Sequence, residues 1–140
     1  MTDLTRAPAL IESLTVDGRL DLALNPAAVT ELGSLIAEQA REHSPSLVLS
    51  WAGDDIVLAH AVASALGIPR AVVSLDLGLI TVDPQVAPST RGVLVGSHFT
   101  SDGPVASIAT MLGERGHELV LAAALMGDAA GADVPFTALG

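Results

Sequence analysis

Four short apolar runs, at residues 47–49, 71–75, 93–95 and 119–125, alternate with stretches whose apolar residues recur at helical spacing. No other feature of the chain limits its fold as much. A strand followed by a helix and another strand forms a crossover, and crossovers lay strands side by side and parallel. The runs are nearly continuous rather than apolar on alternate positions, as expected of strands covered on both faces. One intervening helical pattern spans 56–66 and stops at Gly67-Ile68-Pro69; the other spans 105–112 and stops near Gly113 and Gly116. Upstream, Asp17-Gly18 between 14–16 and the alternating segment 20–24 predicts a β-hairpin. Asn25-Pro26 then predicts a capped helix running to about Glu42, ended by Ser44-Pro45. The expectation is a single α/β domain over residues 1–140. It has a parallel central sheet, with an N-terminal antiparallel hairpin at one edge or end. Residues 83–91 are expected to form a surface loop, and the Ala/Gly-rich tail after Gly127 to pack weakly until Phe136.

Composition narrows the function classes. Half the residues are hydrophobic, which excludes disorder, and Trp51, Phe99 and Phe136 are the only aromatics, so the core must be aliphatic. No apolar run approaches the ~20 residues needed to cross a bilayer, and the first residues lack the pattern of a signal peptide. A cytoplasmic location is therefore expected. With no cysteine there is no disulfide framework and no thiol nucleophile. The net charge is −10 and the chain has no lysine; its six arginines are scattered. Nucleic acid and anionic membranes need a basic patch, so neither is an expected partner. The acidic balance keeps a small apolar domain soluble, or, as the sharper alternative, offers a face to a basic protein partner.

Residues 92–126, GVLVGSHFTSDGPVASIATMLGERGHELVLAAALM, read as strand, turn, helix, glycine stop and strand. Residues 47–69, LVLSWAGDDIVLAHAVASALGIP, read as a short strand, a Gly-containing turn and an Ala/Leu-rich helix. Together with the hairpin and the long helix, this order over residues 17–125 resembles the type I phosphoribosyltransferases, orotate phosphoribosyltransferase and its relatives among them. The resemblance implies a type I fold, a homodimer, and a site at the C-terminal ends of the parallel strands, where open α/β sheets place their crevice.

Four elements of that site can be located by position, and all four are altered. Counting back without a gap from Gly116, the paired acids that hold the ribose hydroxyls in the family fall on Gly96 and Ser97. The phosphate loop reads Thr100, Ser101, Asp102, Gly103, Pro104; Asp102 sets a negative charge where a phosphate would sit, and Pro104 removes one N–H. The pyrophosphate loop reads Ser50, Trp51, Ala52, Gly53, Asp54, Asp55. At ~4 Å and an effective dielectric of about 20, each carboxylate would oppose a pyrophosphate charge by roughly 4 kcal/mol. The basic residue expected after the second core strand is replaced by Ser74, Leu75 and Asp76. Between those strands, the fifteen or so residues up to Arg91 are too few for a large closing lid that would exclude water.

The candidate ligand or partner site is therefore vestigial: Trp51, Asp54, Asp55, Ser97, His98, Thr100, Ser101, Asp102 and Gly103, with no catalytic residue and no metal ligand assigned. Asp54 or Asp55 is expected to cap the helix from about Ile56, and Asp102 to cap the one from Pro104, rather than bind metal. His60 is expected to be half-buried, and His43 and His117 to lie at helix ends. Ser97 and His98 are adjacent and have no orienting third group, which argues against a hydrolase. Trp51 either lids the core and plugs the emptied pocket or anchors a partner. The leading expectation is a non-catalytic homologue, a pseudoenzyme with a regulatory, scaffold or protein-interaction role and no cofactor. The alternative is a divergent phosphoribosyltransferase acting on a nucleobase and phosphoribosyl pyrophosphate, with magnesium held near Asp54, Asp55 and Asp102.

Overall fold

The computed structural model describes residues 4–76, 79–83, 89–99, 105–127 and 134–139. A 3₁₀ turn and a short helix α1 (Ala7–Glu12), which the apolar pattern did not reveal, open the chain. The predicted hairpin follows as β1 (Thr15–Val16) and β2 (Arg19–Leu20), a small two-stranded sheet of its own. Asp17 and Gly18 both have positive φ, 50° and 77°, as a two-residue turn between right-twisted strands requires. The second strand is shorter than the alternation at 20–24 implied. The Asp21 carboxylate accepts the N–H of Ala23 at 3.0 Å, and this local turn takes the chain out of the hairpin. Leu22 still turns into the core, whereas Leu24 is exposed.

Helix α2 (Pro26–Arg41) starts where expected: Asn25 Oδ1 accepts the N–H of Ala28 at 3.3 Å, with Pro26 in the first turn. Next come β3 (Leu47–Trp51), α3 (Asp55–Leu66), β4 (Arg70–Asp76), β5 (Leu79–Asp83), β6 (Arg91–Phe99), α4 (Val105–Glu114), β7 (Glu118–Gly127) and β8 (Phe136–Ala138). Gly67, at φ 70°, ends α3 by donating its N–H to Ala63 O. At the end of α4 the N–H of His117 reaches back to Leu112 O, past Gly116.

The main sheet has the order β5-β4-β3-β6-β7-β8. All its neighbours are parallel except β5, which runs antiparallel to β4. Two elements depart from the sequence reading. Residues 79–83, of which only Asp83 falls in the expected loop and the rest belong to no expected element, form β5, with Val73 opposite Val82. The tail returns as β8, with Phe136 opposite Ala122.

The apolar runs are buried on both faces, as their continuity implied. Val48, Val93, Val95, Leu121 and Leu125 face α1, α2 and α3. Leu47, Leu49, Leu94, Ala122 and Ala124 face α4. The N-terminal ends of the strands are tied down by Arg91. It donates Nε and Nη2 to His43 O at 3.2 and 2.8 Å, and Nη1 to Glu118 at 3.1 Å. The opposite end of the sheet is left to carry the site.

Candidate functional site

Parallel β3 and β6 are neighbours in the centre of the sheet, so their C-terminal ends emerge side by side. Trp51 ends β3, and Ser97, His98 and Phe99 end β6. Asp54 and Asp55 follow β3 through a tight turn and begin α3. Thr100, Ser101, Asp102 and Gly103 lie outside the described residues. The expected convergence can thus be traced for five of the nine positions. Trp51, Asp54, Asp55, Ser97 and His98 share one end of the sheet.

One direct link joins the two loops. The backbone N–H of Ser97 donates to Asp55 Oδ1 at 3.2 Å. The capping role expected of the acidic pair is not what holds them. Asp54 occupies the N-cap position, but its backbone is already helical and its side chain makes no cap hydrogen bond. Asp55 lies in the first turn, where its charge suits the helix dipole, and its carboxylate reaches across to β6. Asp54 is exposed and Asp55 half-buried.

The positions at which the resemblance expects paired acids are physically informative. Gly96 is buried, and a Cβ there would lie 2.4 Å from Phe99 Cε1 and 2.8 Å from its Cζ. Phe99 folds back from the strand end over Gly96. It is 6% exposed and rests against Phe136, with ring centroids 6.4 Å apart. A carboxylate at position 96 therefore has no room while the ring stays. Sequence reasoning counted Phe99 only among the scarce aromatics. The signal lay in its spacing, since an aromatic three residues after a strand glycine can fold over it.

Trp51 is half-buried and packs on the α4 side of the sheet, with Leu49, Val73 and Phe99 in the same apolar cluster. The indole thus lids the second core. Ser97 and His98 are consecutive on β6, where successive side chains point to opposite faces, so they form no nucleophile–base pair. His98 is exposed. His60, expected to be half-buried, is also exposed, and its Nδ1 accepts from Arg70 Nε at 3.2 Å. It lies on the outer face of α3, where an amphipathic reading of an almost wholly apolar helix had little polarity to orient by. His117 pairs with Thr90 Oγ1 at 2.6 Å, away from the site. Among the described residues no three His, Cys, Asp or Glu side chains cluster as metal ligands.

No protein-family model and no curated protein matches this sequence. Solved structures do. Adenine phosphoribosyltransferase from Saccharomyces cerevisiae, complexed with an imino-altritol bisphosphate and adenine, superposes with a TM-score of 0.80 at 14% identity, over 99% of this chain and 100% of that one. A phosphoribosyltransferase from Corynebacterium diphtheriae gives a TM-score of 0.76 at 19% identity, over 99% and 95%. The Trypanosoma brucei adenine enzyme, with AMP, pyrophosphate and ribose-5-phosphate, gives 0.73 at 14%, over 99% and 80%. This chain has the type I phosphoribosyltransferase fold. Gly96 and Ser97 stand near the C-terminal end of β6. Among the described residues no helix is long and apolar enough to cross a membrane.

Proposed function

We propose that this chain uses the phosphoribosyltransferase scaffold for recognition rather than for transfer, as a regulatory, scaffold or protein-interaction protein in the cytoplasm. One observation carries the reading: the Phe99 ring fills the space that a side chain at position 96 would need. Without an acid there, the ribose hydroxyls of a phosphoribosyl group lose the partners the family gives them. A fold does not fix a function, so the residues at the site weigh more than the scaffold. The remaining surface is acidic at Asp54 and Asp55 and carries no lysine, which suits a basic partner better than a polyphosphate. Family resemblance adds a homodimer to the proposal.

A second reading, a divergent phosphoribosyltransferase, is the one the structural comparisons favour. The superposing proteins named above are phosphoribosyltransferases, and one holds AMP and pyrophosphate. Under it, Asp54, Asp55 and Asp102 would surround a magnesium ion. The described donors fit that ion poorly: Asp55 already accepts the Ser97 N–H, and a hexacoordinate cation would depend on phosphate and water for most of its ligands.

Calorimetric titration of phosphoribosyl pyrophosphate with magnesium, and separately of AMP, separates the two. The proposal expects no saturable heat at millimolar ligand. Micromolar binding of either would overturn it in favour of the transferase.

A further inference from the structure

A second concave feature lies outside the strand-end crevice. Between α2 and α3 is an open cavity of about 580 Å³, lined by neither β6 nor α4. That volume falls in the ordinary range of small-molecule sites, roughly 300–1,000 Å³. Its wall is mainly apolar, formed by Pro26, Val29, Val57 and Ala61. Val57, in the first turn of α3, is 51% exposed.

The polar groups on this wall are biased in sign and in hydrogen-bonding sense. Thr30 donates its hydroxyl to Pro26 O and Ser34 donates to Thr30 O, both at 3.2 Å, so each offers the cavity only oxygen lone pairs. Asp54 stands at the mouth, and its carboxylate has no hydrogen bond or ion pair among the described residues. His60 lines the same α3 wall, and its Nδ1 is occupied by Arg70 Nε, a residue outside the cavity. With Nδ1 accepting, His60 carries its proton on Nε2, so the cavity presents hydroxyl acceptors, this one imidazole donor and one unpartnered negative charge above an apolar floor. An anion would meet the Asp54 charge with a single side-chain donor to offset it. A cation with an apolar body would meet both surfaces it needs.

We propose that the cavity between α2 and α3 is a binding site for a protonated amine carried on an apolar ring, with Asp54 receiving the ammonium group. The charge complementarity decides the ligand class. The site shares Asp54 with the strand-end cluster and draws its other walls from α2, α3 and the segment before α2.

The test is an amide-resolved NMR titration of the full chain with tryptamine, and with indole-3-propionate as a probe of the same ring and opposite charge. Tryptamine is expected to give saturable shifts at residues 26–34 and 54–65, and the propionate to bind more weakly. Asp54→Asn, which keeps an equally good N-cap residue, should weaken tryptamine by roughly two- to fivefold, the size of an exposed ion pair. Ser64→Phe, from an exposed position on the cavity wall, should abolish both. Equal binding of the two probes, or no saturable shift at millimolar tryptamine, would overturn the proposal. So would a concentration series showing a second copy of the chain covering the same amides.

Discussion

Gly96 and Phe99 decide most of what can be said at the level of single residues. A side chain at 96 competes with the ring for one volume, and the ring is almost fully buried. Gly96→Asp should therefore lower unfolding free energy by about 3 kcal/mol, from overpacking and from burying an uncompensated carboxylate. In a Phe99→Ala background the same change should cost at least ~1 kcal/mol less, because the clash is gone. Urea denaturation of the four proteins measures this coupling, and additive costs would show that the ring does not exclude the acid. Trp51 gives a second reading at this scale. Its indole packs on the α4 side of the sheet while part of it stays exposed. Trp51→Ala should cost about 2 kcal/mol, less than a fully buried tryptophan would. A thermal scan with no change in melting temperature would return the indole to the role of partner anchor.

Between elements, α2 and α3 cross closely at Gly33. A Cβ on Gly33 would lie 2.4 Å from Ala61 Cβ and 3.0 Å from Ala61 carbonyl carbon. Alanine would gain about 1 kcal/mol in helix propensity, but the obstacle includes backbone, which cannot swing away. Gly33→Ala should therefore destabilise by a net 1–2 kcal/mol or so, as overpacking outweighs propensity. Stabilisation in chemical denaturation would mean the helices can part without penalty. Gly33 was not legible as a contact, because a glycine inside an amphipathic pattern carries no sign of what faces it. Local chemistry was legible wherever it acts over a few residues: the Asp17-Gly18 turn, the Asn25 cap, and the Gly67 stop all form as their residues dictate. The parallel strands were legible through their apolar continuity. β5 and β8 were not, since an edge strand is covered on one side only and its pattern is weak. Half the candidate site followed from topology alone. The Asp55–Ser97 hydrogen bond, spanning 42 positions, could not be read from either segment.

Across the whole molecule, stability comes from two aliphatic layers on one sheet, with little help from charge. Among the described residues, the arginine–glutamate pairs Arg6–Glu31, Arg41–Glu38 and Arg91–Glu118 are substantially exposed and so contribute little each. The sheet's outer border therefore matters more than its surface charges. β8 is three residues long, yet it is what stands beside β7. Its segment takes up backbone groups of the most apolar strand in the chain: Ala122 N–H donates to Pro135 O at 2.9 Å, and Leu139 N–H to Ala124 O at 3.1 Å. Take away residues 134–140 and β7 becomes an unguarded border, with Leu119, Leu121 and Leu125 in a long flat strand whose amides seek another strand. Such a truncated chain should keep its helix content by circular dichroism yet sediment as growing oligomers, unlike the full chain at the same concentration. A truncated protein that stays as small as the parent would show that something else guards β7. Three residues of modest burial thus cover a strand border that would otherwise be open to self-templating.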